Sequence, residues 1–263
     1  MTGRISLRSK LAAGDTILGS WLSLAHPPVA EILARSGFEF LVIDQEHAAI
    51  GAAECLHLIQ IVDLCGVQPW VRVGANEARL IKRALDSGAA GVVVPSVNSA
   101  EDAEAAVVAA RYPPVGRRGA GLFRAQAYGL GFPAYRALAD ADTVVVVQIE
   151  HVDGVAHLED ILDVPGVDAF MVGPYDLSGS VGQPGAYDHP DVREALQEVE
   201  RVMKATHIPG GFHVVHSNVD ELQRRLRAGY RLIAYGDDMV FLAEKVQREA
   251  ELARSVVREM LGG

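Results

Sequence analysis

Eight short apolar runs recur along the chain, at residues 16–22, 40–43, 69–73, 91–94, 143–150, 169–172, 211–215 and 231–235. Most start twenty to thirty residues apart, the length of a strand plus a returning helix. The fifth, with Val144-Val145-Val146-Val147 at its heart, has no polar alternation, as expected of a strand buried on both faces of a parallel sheet. No two runs are joined by a hairpin-like turn. Helix punctuation fills the gaps instead: Pro27-Pro28 opens a helix that Gly37 closes, and Gly66 stops one over 52–64. Asn76 is expected to cap the next, with Gly88 past its end; Ser99-Ala100-Glu101-Asp102 and Asn218 open two more. Eight βα units predict an α/β fold of the (β/α)8 TIM-barrel type, with residues 1–263 forming one barrel domain. One segment, 112–132, breaks the rhythm. It carries Pro113-Pro114, Arg117, Arg118 and Arg124 without periodicity, and a loop of that length inside a compact domain favours a functional role.

A chain that is 49% hydrophobic can fill a large core, and its 26 glycines suit close helix-on-sheet packing. The formal net charge of −10 argues against nucleic acid or an anionic membrane as a partner, yet permits an anionic small molecule bound by a local arginine or a metal. No apolar run approaches a membrane span, and Met1-Thr2-Gly3-Arg4 has no apolar signal core, so a cytoplasmic protein is expected. Cys55 and Cys65 share one helix, about 15 Å apart along its axis, too far for a mutual disulfide.

In a barrel the C-terminal ends of the strands converge on one face, where sites are built. That face receives Asp44, Glu46 and His47 from the second strand, Arg72 from the third, Gln148 and Glu150 from the fifth, and Asp176 from the sixth. His213 and His216 follow from the seventh, and Asp237 and Asp238 from the eighth. Carboxylates ending such apolar strands are costly unless paired or coordinated. Glu150 and Asp176 make a hard-oxygen pair suited to Mg²⁺ or Mn²⁺, with water or substrate oxygens completing the shell. The four lysines, Lys10, Lys82, Lys204 and Lys245, all fall away from the strand ends. Schiff-base chemistry therefore lacks its nucleophile, and carbanion chemistry would need a metal as Lewis acid. With Arg72 placed to hold a carboxylate bidentately and His47 to carry a proton, the parts describe a site for a 2-oxo acid.

Ile43-Asp44-Gln45-Glu46-His47, Val71-Arg72, Arg111-Tyr112-Pro113-Pro114 with Arg118-Gly119, Gln148-Ile149-Glu150 and Gly173-Pro174-Tyr175-Asp176-Leu177-Ser178 together resemble the HpcH/HpaI aldolase family. The likeness runs through nearly the whole chain in unbroken order, and motifs spread over several strands are far more specific than any one of them. The resemblance implies a metal-dependent pyruvate aldolase of aromatic or sugar-acid catabolism, cleaving a 4-hydroxy-2-oxo acid to pyruvate and an aldehyde through a metal-bound enolate. It implies Glu150 and Asp176 as ligands of Mg²⁺, Mn²⁺ or Co²⁺, Arg72 as enolate stabiliser, and His47 as the acid–base group on the aldol hydroxyl. Asp44 is implied as a supporting residue. Asp86 matches an aspartate that a neighbouring subunit lends to the histidine. Gln148, Gly173, Pro174 and Tyr175 are assigned to the substrate pocket, and Phe212, on the seventh strand, is placed there too. A homohexamer with the last helix exchanged between barrels is the expected assembly.

Gln45 and Tyr175 stand where relatives often have smaller residues, which bears on pocket width. His213, His216, Asp237 and Asp238 depart from the family pattern and bear on which aldehyde is taken. Two rival readings are a CoA-ester lyase or phosphoenolpyruvate-type enzyme on the same barrel, and a non-catalytic metabolite-binding barrel. The first needs a CoA or phosphate cradle that the sequence does not offer.

Overall fold

The computed structural model describes residues 6–261; the N-terminal stretch read for a signal core, and the last two residues, lie outside them. Eight parallel strands close in sequence order into a barrel: β1 (Ile17–Leu22), β2 (Phe40–Asp44), β3 (Gln68–Arg72), β4 (Gly91–Val94), β5 (Val144–Ile149), β6 (Ala169–Val172), β7 (Gly210–Val214) and β8 (Leu232–Asp237). A short helix α1 (Leu7–Ala12) precedes the barrel, and its Leu7 and Leu11 join the inner core.

Successive strand residues alternate between the barrel interior and the helix layer. Ile17 and Trp21 of β1, Phe40 and Val42 of β2, Trp70 of β3, and Val144 and Val146 of β5 fill the interior. Phe40 and Trp70 stack with centroids 4.4 Å apart, and burying each such ring contributes about 2 kcal/mol or more. Room for them comes from glycine. A Cβ on Gly19 would sit 2.5 Å from the Phe40 ring, and one on Gly91 would meet Trp70 and the Val144 Cβ at 3.1 Å. The outward-facing Leu41, Ile43, Val71, Val145 and Val147 form the larger core beneath the helices.

The helix layer comprises α2 (Pro27–Ala34), α3 (Ala52–Leu64), α4 (Ala78–Asp86), α5 (Ala100–Ala110), α6 (Phe132–Asp142), α7 (Val152–Ala156), α8 (Leu158–Leu162), α9 (Pro174–Ser180), α10 (Pro190–Ala205), α11 (Val219–Ala228) and α12 (Asp238–Leu261). Ser99 and Asn218 cap as expected, accepting from the Asp102 and Glu221 N–H groups. Asn76 does not cap: Glu77 precedes α4, and the Asn76 amide donates to the Asp102 carbonyl 2.9 Å away. Between β5 and β6 the layer is two short helices, α7 and α8, meeting at His157.

The segment 112–132 is more ordered than its composition suggests. A 3₁₀ turn, Arg124–Gly129, leads into α6, which the sequence reading left out although Pro133 sits in its first turn. Two of its arginines hold ion pairs: Arg118 with Asp86 at 2.7 Å and Arg124 with Asp63 at 2.5 Å, while Arg117 is exposed. α12 stands apart from the other helices. Asp238 is its buried residue, while Leu242, Val246, Leu252, Val256 and Val257 are all more than half exposed.

Candidate active site

The interior alternation that packs the barrel also aims the site. Continuing each inward series past the packed layers brings out Asp44 after Phe40 and Val42, Arg72 after Trp70, and Gln148 and Glu150 after Val144 and Val146. The β2–β3 register sets Asp44 directly beside Arg72. Arg72 Nε donates to Asp44 Oδ1 at 2.9 Å and Nη2 to Oδ2 at 2.7 Å, a bidentate pair that fixes the guanidinium plane. The same carboxylate accepts from the Glu46 and His47 N–H groups at 3.0 and 3.4 Å, anchoring the turn that carries both residues. Burial alone would push the Asp44 carboxyl up, but Arg72 and those N–H groups outweigh it and hold it below the ordinary value. The other face of Arg72 lies on the Trp21 ring, 4.4 Å from its centroid.

Glu46 sits on the remaining side, its Oε2 3.2 Å from Arg72 Nη1 and 3.7 Å from His47 Nε2. That oxygen is buried and makes no hydrogen bond. Burial pushes the Glu46 carboxyl up to about 7, the Glu150 charge adds to the rise, and Arg72 opposes it. Glu150 itself is buried and closely held. Its Oε1 accepts from the Ser96 N–H at 2.7 Å and Oγ at 3.3 Å, and Gln148 donates to Oε2. Ser96 takes a left-handed backbone, φ 55°, to present both groups.

A cavity of about 390 Å³ opens above these groups. His47, Arg72 and Gln148 line one part of it, and Gly173 through Asp176 another. Asp176 enters from the first turn of α9, which Pro174 begins. Gly173 is closely flanked: an added Cβ would lie 3.0 Å from the Glu150 Cβ and Oε2. Of the expected ligand pair, Asp176 lines this wall and Glu150 stands behind Gly173. Among the described residues no group of three or more His, Cys, Asp or Glu side chains forms a complete metal cage. Two carboxylates suit a divalent ion that takes its remaining positions from water and substrate.

One sequence assignment moves, and two further residues, Asp86 and His216, lie outside the cavity lining. Phe212 faces away from the cavity: its ring packs against Tyr230 at 5.4 Å and Arg225 at 3.8 Å in the helix layer. The period-two alternation of β7 turns its neighbours His213 and Val215 to the cavity instead. Asp86 is not brought to His47 within the chain. It lies at the end of α4, accepting from Arg118 at 2.7 Å and Gln126 at 3.3 Å, with Arg118 laid over the Tyr112 ring. His216 is engaged with Glu244 of α12 at 2.9 Å.

Gln45 does not narrow the cavity, since its amide donates to the Ile50 carbonyl, whereas Tyr175 stands exposed at the rim. Asp237 and Asp238 tie β8 to the end of β1, accepting from the Ser23 hydroxyl and from the Ser23 and Leu24 N–H groups. Trp21 and Ser96 escaped the sequence reading. Trp21 was findable, because it falls in the inward phase of β1; Ser96 owes its role to a backbone conformation that sequence does not announce.

A family model described as HpcH/HpaI aldolase/citrate lyase matches residues 18–244, most of the chain and every strand end described above. The chain belongs to this family. Curated relatives agree in extent. A 2-dehydro-3,6-dideoxy-6-sulfogluconate aldolase of Pseudomonas putida is 40% identical over 87% of this chain and 89% of its own. A 4-hydroxy-2-oxo-heptane-1,7-dioate aldolase of Salmonella typhimurium is 37% identical over 98% and 97%. Among solved structures, an HpcH/HpaI aldolase/citrate lyase family protein of Burkholderia cenocepacia superposes with a TM-score of 0.88 at 34% identity, covering 94% of this chain and 98% of its own. The HpcH/HpaI chain described here therefore shares its barrel with proteins of nearly equal length.

Proposed function

We propose that the protein is a divalent-metal-dependent pyruvate aldolase, reversibly cleaving a 4-hydroxy-2-oxo acid to pyruvate and an aldehyde. The observation that carries this reading is a convergence. The guanidinium locked by Asp44 and the carboxylate of Asp176 line one cavity, and Glu150 stands directly behind the Gly173 that lines it too.

Glu150 and Asp176 would hold the ion, Mg²⁺, Mn²⁺ or Co²⁺. When bound, it supplies Lewis acidity at the 2-oxo group. The chain's own residues do the rest. Arg72, with Nε and Nη2 committed to Asp44, keeps a fixed positive plane at the cavity floor and stabilises the negative charge that builds on the pyruvate fragment. Gln148 and the backbone after Gly173 line the pyruvate end. His47, more than half exposed at the rim, takes the proton of the 4-hydroxyl as the C3–C4 bond breaks, and returns it in the synthetic direction. Asp86 serves the His47 of an adjoining subunit, with Arg118 fixing its carboxylate. A homohexamer in which α12 packs on a neighbouring barrel accounts for the exposed apolar residues of that helix. Residues 1–263 act as one catalytic domain in the cytoplasm.

The test is release of pyruvate from a 4-hydroxy-2-oxo acid, lost on adding EDTA and restored by Mg²⁺, Mn²⁺ or Co²⁺. Glu150→Ala should lose both metal affinity and oxaloacetate decarboxylation. Retention of both overturns the ligand assignment.

A further inference from the structure

His213 faces the cavity and has no part in the chemistry above. Its ring stacks obliquely on Trp21, centroids 5.0 Å apart, so that Trp21 touches both the Arg72 guanidinium and the imidazole. Nε2 is 3.2 Å from the Gly236 carbonyl. A carbonyl oxygen only accepts, so Nε2 carries the hydrogen. Burial pushes the ring's pKa down to about 4, against the pull of the Gly236 carbonyl and of Asp237, and the imidazole is neutral at neutral pH. In that tautomer Nδ1 holds a lone pair. Among the described residues Nδ1 has no hydrogen-bond partner, and it is not one of the atoms sealed from solvent. Its lone pair is left to the cavity.

The surrounding charge narrows what can meet it. Arg72 is the one arginine or lysine lining this cavity among the described residues; Asp44 already takes its Nε and Nη2, and the Glu46 carboxylate lies 3.2 Å from Nη1. Asp237 and Asp44 both act electrostatically on the His213 ring. A second carboxylate at this end would lack a counter-ion and face two negative groups, whereas an uncharged donor would satisfy the free acceptor.

We propose that His213 determines aldehyde specificity: its Nδ1 accepts a hydrogen bond from a hydroxyl on the aldehyde, selecting short, uncharged hydroxyaldehydes over alkyl or carboxylate-tailed ones. This rests on the aldolase reading above. A site built around one such acceptor discriminates against an isostere lacking the hydroxyl, because the acceptor is then left unpaired.

The experiment compares kcat/KM for pyruvate addition to glycolaldehyde, to propanal (a methyl replacing the hydroxyl) and to succinic semialdehyde. The wild-type protein should prefer glycolaldehyde to propanal by roughly tenfold, and to succinic semialdehyde by at least as much. His213→Leu should bring the glycolaldehyde-to-propanal ratio close to one. His213→Gln, whose amide offers both a donor and an acceptor, should keep most of it. Equal use of glycolaldehyde and propanal by the wild-type protein overturns the proposal without recourse to any variant. So does an unchanged ratio in His213→Leu. Oxaloacetate decarboxylation by the wild-type protein is measured alongside: if it is EDTA-sensitive while the aldehyde ratio is flat, only the His213 inference fails. If decarboxylation is absent, the aldolase reading fails and takes the inference with it.

Discussion

Asp44 touches nothing that reacts, yet three features of the cavity pass through it. It holds the Nε and Nη2 edge of the Arg72 guanidinium and, through two N–H bonds, the turn that presents Glu46 and His47. Asp44→Asn keeps the volume but replaces one acceptor oxygen by a donor that faces a guanidinium. Arg72 is then free to swing toward Glu46, whose orphaned oxygen already lies 3.2 Å away. Loss of an outer partner of this kind typically lowers activity by about 10–100-fold, and pyruvate C3 proton exchange in Asp44→Asn should fall by that amount, mainly in kcat. The melting temperature should shift by a few degrees at most. Exchange within twofold of the wild-type rate would show that Arg72 does not depend on this partner.

At the scale of elements, sequence and structure agree where one signal dominates. The β5 run of valines and the caps Ser99 and Asn218 are local instructions, and each appears where it was read. Elements whose signal is weak or shared were lost. α6 begins Phe-Pro-Ala-Tyr-Arg and buries little beyond Ala139, so no apolar stripe marks it. α9 hid inside a Gly-rich stretch because its seven residues leave no room for a period. Phe212 went to the wrong side for a different reason. An aromatic beside a histidine on an apolar strand gives no phase by itself, and the neighbouring glycines offer no side chain to count from. Gly173 shows how an element boundary can matter more than a side chain. Its φ of −94° suits any residue, so Gly173→Ala should fold with little loss of melting temperature. The added Cβ must nevertheless displace Glu150, which Ser96 and Gln148 hold in place. Weaker binding of Mn²⁺ by about tenfold or more, the usual scale for disturbing a ligand's support, is the expected calorimetric result. Wild-type affinity would mean that Glu150 does not carry the ion.

On the scale of the whole molecule, the proposed assembly bears on two features of the chain. The cavity has His47 at its rim, while the aspartate assigned to that histidine lies beside Arg118 at the far end of α4. The long α12 leaves seven large apolar side chains more than half exposed, Leu242, Val246, Leu252, Val256, Val257, Met260 and Leu261. Both facts have one explanation if neighbouring barrels complete each other's sites, and that explanation makes a quantitative prediction. His47→Ala and Asp86→Ala should each be nearly inactive when assembled alone. In a mixed assembly, a competent site needs His47 from one parent and Asp86 from the other. If the two chains are dissociated together and reassembled at equal ratio in a closed symmetric oligomer, random pairing gives about a quarter of the sites both residues. Recovery of about that fraction of wild-type activity, checked against each variant carried through the same procedure, places Asp86 in trans. No recovery would return Asp86 to a purely structural partner of Arg118 and leave His47 to work with groups of its own chain, of which Glu46 is the nearest carboxylate at 3.7 Å.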